Sequence, residues 1–172
     1  MNKTYSVEPR LGARYTPVSK HVFALAGGLY SQMIPRSFYF IQTPTPSGVI
    51  CSNKNLGFMK SAHADFSYGW GFAPDWHFKV ETYYQHLYNI PVINDPDETY
   101  TILQAGGAGE NFILRQDNLV NKGTGKNYGV EFTFEKFMSK NYYLLFNTTL
   151  YRSTYTNGFN NKEWSTVFDG KY

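Results

Sequence analysis

Four histidines, His21, His63, His77 and His86, are the side chains best suited to metal ligation or proton transfer. None falls in an HExxH pattern or at a close two-ligand spacing. His63 and Asp65 lie two apart, so an extended chain puts them on one face within reach of a hydrogen bond, and a wet polar lining is the simpler reading than chemistry. Glu131 and Glu135 also share a face, but four positions of strand separate them by about 13 Å. That exceeds the roughly 5 to 9.5 Å of a glycosidase pair unless a neighbouring strand supplies a partner. Cys51 is the single cysteine, which excludes an internal disulfide framework and a cysteine zinc cluster, and reads as a loop residue or small filler. No GxSxG is present, and QAGGAGEN at 104–111 lacks the Lys-Ser/Thr ending of a phosphate loop, so it reads as a flexible loop. Asn147, Thr148 and Thr149 spell a glycosylation sequon only on paper, because they sit in an expected strand. The sequence therefore predicts neither an enzyme nor a cofactor.

The elements that hold these residues are strands. The 172 residues carry 19% aromatics, including fifteen tyrosines and fourteen phenylalanines, with fifteen glycines, a mixture that favours sheet over helix. The formal charge of +3 is spread along the chain, a poor nucleic-acid footprint. No apolar run approaches the roughly 20 residues of a membrane helix. MNKTYSVEPR lacks the apolar segment of a secretory signal, so an export signal, if there is one, lies elsewhere.

Alternation of period two is clearest over residues 60–89. Ala62, Ala64, Phe66, Tyr68, Trp70 and Phe72 share one face against Ser61, His63, Asp65 and Ser67 on the other. After a turn at Pro74 and Asp75, Trp76, Phe78, Val80, Thr82 and Tyr84 oppose His77, Lys79, Glu81 and Gln85. The pattern recurs over 5–16, 20–32, from 126 onward and, less cleanly, over 141–155, giving six strands with a seventh beginning near Trp164. A dozen residues or more exceeds the usual soluble strand and suits a tilted membrane crossing. Tight connections near 17–20, 74–76 and 138–141 alternate with long ones near 34–59, 93–122 and 157–163, as short periplasmic turns alternate with longer extracellular loops. Aromatics crowd around the 74–76 turn as an interfacial girdle would.

In this pattern the chain resembles the C-terminal part of the barrel of a TonB-dependent outer-membrane receptor of the kind common in Bacteroidetes-type bacteria. EPRLGARYTP at 8–17, HVFALAGGLYSQ at 21–32, KVETYYQHLYNIPV at 79–92, NKGTGKNYGVEFTFEKF at 121–137 and NYYLLFNTTLYRSTY at 141–155 carry the resemblance. It implies an all-β fold, an antiparallel transmembrane β-barrel fragment of about six to seven strands within a barrel of about 22. It further implies an N-terminal plug, uptake of a scarce nutrient such as an iron chelate, a cobalamin or a glycan, and energy from the TonB complex acting on that plug. The expected setting is the outer membrane. The expected partners are its lipid and the remainder of the barrel.

Seven strands cannot close a membrane barrel without leaving unpaired backbone groups in lipid, so the expectation is a piece of a receptor that does not act alone. A soluble β-sandwich binding module also produces alternation, and a small complete outer-membrane barrel would need another strand or two. Tyr39, Tyr100, Arg115, Gln116 and Asp117 fall in the long loops and are of the kinds that stack on or hydrogen-bond a ligand.

Overall fold

The computed structural model of the protein describes residues 5–104, 117–160 and 162–170. Its strands are β1 (Arg10–Val18), β2 (His21–Gln32), β3 (Gln42–Thr45), β4 (Gly48–Cys51), β5 (Met59–Ala73), β6 (Trp76–Ile93), β7 (Leu119–Ser139), β8 (Tyr142–Thr156) and β9 (Trp164–Ser165). The described residues also form a single turn of α-helix, α1 (Arg36–Tyr39), and two short 3-10 turns. Seven strands form one antiparallel sheet in the order β1-β2-β5-β6-β7-β8-β9, and β3 pairs with β4 in a separate hairpin. The sheet is an open meander. β1 and β9 are its edges.

Within the seven-stranded sheet three described connections are two-residue turns, at Ser19–Lys20, Pro74–Asp75 and Lys140–Asn141, and all lie on one rim. Lys140 and Asn141 both hold φ above zero, 52° and 69°, the conformation of a type I′ hairpin whose twist matches its strands. Each hairpin shifts register just before its turn. The long connections occupy the opposite rim.

The strand ends differ from the sequence reading where proline and glycine interrupt the pattern. β1 begins at Arg10 and not at Tyr5, because Pro9 has no N–H to give the ladder. Pro9 still accepts the Leu29 N–H at 3.0 Å, and Glu8 takes the backbone N–H and hydroxyl of Ser31, pinning the approach to β1 against β2. The Ser31 hydroxyl is the main cause of a Glu8 carboxyl held below its ordinary range; some desolvation opposes it, and the Arg10 guanidinium assists. β7 starts at Leu119, seven positions before the alternation becomes visible, since Gly123 and Gly125 carry no side chain to mark a face. Gly123 has a packing reason to be bare: a Cβ there would meet Val92 Cγ1 at 2.6 Å and the Ile90 carbonyl at 2.9 Å.

The compact core sits at the long-loop rim. Ile34, Phe38, Leu56, Ile90, Ile102 and Leu119 pack together from two excursions of the chain, β2 to β5 and β6 to β7. β6 reaches this core by a bulge at Asn89, whose φ is 56°, after which Ile90, Pro91 and Val92 are buried in succession. Asparagines tie the loops down. Asn53, fully buried, donates to the Phe38 carbonyl at 3.0 Å and accepts the Leu119 N–H at 2.9 Å. Asn157, also fully buried, donates to the carbonyls of Pro96 and Glu98. Among the described residues no helix is long and apolar enough to cross a membrane.

Candidate functional site: two faces of one sheet

Register decides which side chains meet. On one face the rows run Tyr15, Phe23, Tyr68, Val80, Phe132, Thr148 and, next to it, Ala13, Leu25, Phe66, Thr82, Val130, Leu150. This face is apolar across six strands, and among the described residues nothing packs over it: Leu11, Leu25, Phe66, Phe146 and Leu150 remain 44 to 83% exposed.

The apolar band has ionisable limits. β7 places Lys126, Tyr128, Val130, Phe132, Phe134 and Lys136 on this face, and Lys126 pairs with His86 while Lys136 pairs with Trp76. Ten strand positions span about 34 Å, or about 26 Å normal to a bilayer at a tilt of about 40°. Aromatics cluster near both limits. Tyr84 stacks with Tyr128 towards the loops, and Phe72, Trp76 and Phe134 pack together by the tight turns. Lys136 is nearly buried, its Nζ bonded to Ser139 and to the Tyr142 carbonyl and sitting 3.9 Å from the Tyr142 ring centroid.

The opposite face is crossed by a hydrogen-bonded polar belt, while Tyr143 and Leu145 stand exposed on it near the tight turns. In register lie Arg10, Gly28, His63, Gln85, Asn127 and Ser153. The Thr166 hydroxyl donates to Ser153 Oγ at 2.7 Å, Ser153 donates to Asn127 Oδ1 at 2.7 Å, and the Asn127 amide donates to Gln85 Oε1 at 2.6 Å. Gln85 Nε2 then reaches His63 Nε2 at 2.5 Å and Ser61 Oγ at 3.2 Å. With the amides in these orientations the donors point one way along the belt, towards His63 Nε2. Tyr30 continues the line, 4.6 Å between its ring and that of His63, with the Arg10 guanidinium 4.4 Å from the Tyr30 centroid. The His63–Asp65 pairing expected from spacing is replaced by this cross-strand bond, since a partner opposite in the sheet is closer than one two residues along.

Two rows away, Ser67, Glu81, Glu131 and Thr149 are in register. Lys79 pairs with Glu81 at 2.7 Å, and Glu131 accepts Asn147 Nδ2 at 2.8 Å. Glu131 thus acquires Glu81 as a cross-strand neighbour that residue spacing could not reveal. Among the described residues no group of three or more His, Cys, Asp or Glu side chains is placed to hold a metal ion. Between the belt and the loop core lies a cavity of about 390 Å³ lined by Tyr30, Ser61, His63, Gln85, Leu87 and Leu103 among others. It offers amide, imidazole and hydroxyl groups beside an aromatic ring, an arrangement that hydrogen-bonds and stacks.

No protein-family model, curated protein or solved structure matches the chain.

Of the five loop residues singled out from the sequence, the structure describes Tyr39, Tyr100 and Asp117. Tyr39 ends α1 and packs against the loop core, where burial pushes its phenol above the ordinary value. Tyr100 packs there too, and burial pushes its phenol up to about 12. Asp117 is half-buried in the bend before β7, while Arg115 and Gln116 lie outside the described residues. The belt was missed from sequence because its members are hundreds of atoms apart along the chain and join only through register. Their shared polar parity on each strand was the available signal.

Proposed function

We propose that the chain is a wall segment of a TonB-dependent outer-membrane receptor, its apolar face against lipid and its polar belt lining the passage of an imported nutrient. One observation carries this reading: an apolar face, continuous over six strands and uncovered by any described residue, backed by a face that carries a hydrogen-bonded polar belt. Six of its side chains, Leu11, Leu25, Phe66, Leu144, Phe146 and Leu150, are each about half exposed or more. At about 1.5 to 3 kcal/mol for full burial of such a side chain, leaving half of each in water forgoes roughly 5 to 10 kcal/mol. That is comparable to the whole stability of a domain. A bilayer removes the deficit, and the band height of about 26 Å agrees with the roughly 25 Å apolar belt of outer-membrane barrels.

The remainder of the barrel pairs with the open edges, the plug occupies the polar side, and TonB acts through the plug. The long-loop rim faces the exterior and the tight-turn rim the periplasm. An antibody raised against the β3–β4 hairpin, residues 42–51, tests this in cells that make the polypeptide. Recognition of intact cells, with the antigen in the outer-membrane fraction, supports the reading. Antigen in the soluble fraction overturns it.

A further inference from the structure

Beyond lining a passage, the members of the polar belt can each hydrogen-bond in two senses. A hydroxyl donates or accepts, and an amide turned end for end exchanges its donor for its acceptor. The line Thr166, Ser153, Asn127, Gln85 therefore has two complete arrangements. In the one observed every donor points towards His63: Thr166 Oγ1 to Ser153, Ser153 Oγ to Asn127 Oδ1, Asn127 Nδ2 to Gln85 Oε1, and Gln85 Nε2 to both His63 Nε2 and Ser61 Oγ. In the other, His63 Nε2–H and the Ser61 hydroxyl donate to Gln85 Oε1, and after two amide turns the remaining bonds run back towards Thr166. Neither arrangement loses a bond within the belt. A mixed one does, because turning Gln85 alone sets its amide nitrogen against that of Asn127 across the 2.6 Å that a bond now spans.

We propose that His63 sets the sense of this belt, which makes the belt a proton-operated switch. An imidazole changes charge between about pH 5 and 8, and an imidazolium can only donate. A proton on Nε2 faces the Gln85 amide hydrogens across 2.5 Å, so Gln85 turns, and Asn127, Ser153 and Thr166 follow in order. The groups around His63 are few. Asp65 comes next on the same face of β5, Tyr30 stacks from β2, and the Arg10 side chain from β1 lies over Gly28 beside the ring. Tyr83 and Leu87 flank Gln85 on β6, Lys60 borders the cavity, and Glu8 holds Arg10 at 3.1 Å. Both ends of the belt register the change. With a neutral ring the Ser61 hydroxyl hydrogen is left for the cavity of about 390 Å³, which then takes a carbonyl or hydroxyl oxygen. With a charged ring that hydrogen turns to Gln85, and the imidazolium in the cavity wall favours a carboxylate. At the far end Thr166, 8% exposed, withdraws its donation to Ser153 beside the β8–β9 pairing.

The test follows the side-chain amide and imidazole resonances of the purified, isotope-labelled full-length polypeptide in mild detergent from about pH 8 to about pH 5. The Asn127 amide is expected to shift with the same midpoint as the His63 ring. The Gln85 amide hydrogens are expected to show a nuclear Overhauser contact with the His63 ring at the upper limit and to lose it at the lower one. The Asn157 amide, held by the carbonyls of Pro96 and Glu98 outside the belt, stays fixed. In Gln85→Met the His63 ring still titrates and Asn127 no longer follows. An Asn127 signal that stays put while His63 titrates overturns the switch, as does a His63 ring of constant charge or an Overhauser contact unchanged across the range. An Asn127 shift that persists in Gln85→Met overturns it too, because the charge then acts through space. If Gln85→Met does not fold, the Overhauser contact in the unaltered protein decides alone. The switch depends on side-chain geometry within one sheet, so its failure leaves the receptor reading standing.

Discussion

Thr82 offers a clean probe of which face meets lipid. It lies on the apolar face, in register with Phe66 and Val130, and is already exposed, so replacing it removes no packed core. It stands four positions from the His86 limit and six from Trp76, about 10 Å and about 16 Å below and above those levels at the tilt used here. A charge at that depth costs about 2 to 4 kcal/mol in an outer-membrane barrel, or about thirtyfold to several hundredfold in the folding equilibrium. On a water-facing strand the same change stays within about 0.5 kcal/mol. The assay is guanidinium unfolding of the receptor polypeptide in phospholipid bilayers, comparing Thr82→Arg with Ser67→Arg. Ser67 occupies the polar face in register with Glu81, where a guanidinium finds a carboxylate. Thr82→Arg is expected to lose about 2 to 4 kcal/mol and Ser67→Arg little. Equal small losses in both would refute the assignment of faces.

Asn53→Ala removes the acceptor of the Leu119 N–H and the donor to the Phe38 carbonyl. A cost of about 1 to 3 kcal/mol follows, seen as faster hydrogen exchange at Leu119. Gly129→Ala should disrupt β7–β8 pairing, because its Cβ would sit 2.7 Å from the Leu150 carbonyl and 2.9 Å from Tyr83 Oη. Adding Tyr83→Phe should not rescue it, since the nearest obstacle is backbone; recovery of stability on adding Tyr83→Phe would show the tyrosine to be the obstacle instead. For Asp169, burial pushes the carboxyl up, but the Ser153 N–H and Arg152 outweigh it and the net shift is downward from 3.8. A lowered carboxyl stabilises the fold above its unfolded value and loses that contribution as pH falls through the folded one. The stability gap between the unaltered protein and Asp169→Asn should therefore be full above about pH 4 and shrink below it in acid unfolding scans; a gap constant with pH would count against the ion pair.

Strand existence was legible because side-chain parity is a local property. KVETYY or YGVEFTFE declares two faces within a few residues, and the tight turns announce themselves through Pro74–Asp75 and the Lys140–Asn141 pair. Strand limits were less so, since Pro9 ends pairing on one side only and Gly123 and Gly125 mark no face. The β3–β4 hairpin hid inside a loop rich in Thr and Pro, where Pro46 and Ser47 form its turn. The loop core was invisible for a different reason. Ile34, Phe38 and Ile102 show no periodicity, and their burial follows from meeting Ile90 and Leu119 across long sequence gaps. Tyr39 and Tyr100 were legible as aromatic loop residues, and their packing against that core depends on contacts no local window contains.

The meander has a temporal meaning. Each long strand pairs with the one before it in the sheet, and three of those pairings close through two-residue turns, so ordering can advance hairpin by hairpin with little loop entropy to overcome. The cluster joining Ile34 to Leu119 can form only after β5, β6 and β7 have aligned. The tight-turn rim is thus the early end of the structure and the loop rim the late one. A chain caught midway would present a finished wall beneath an unlocked roof.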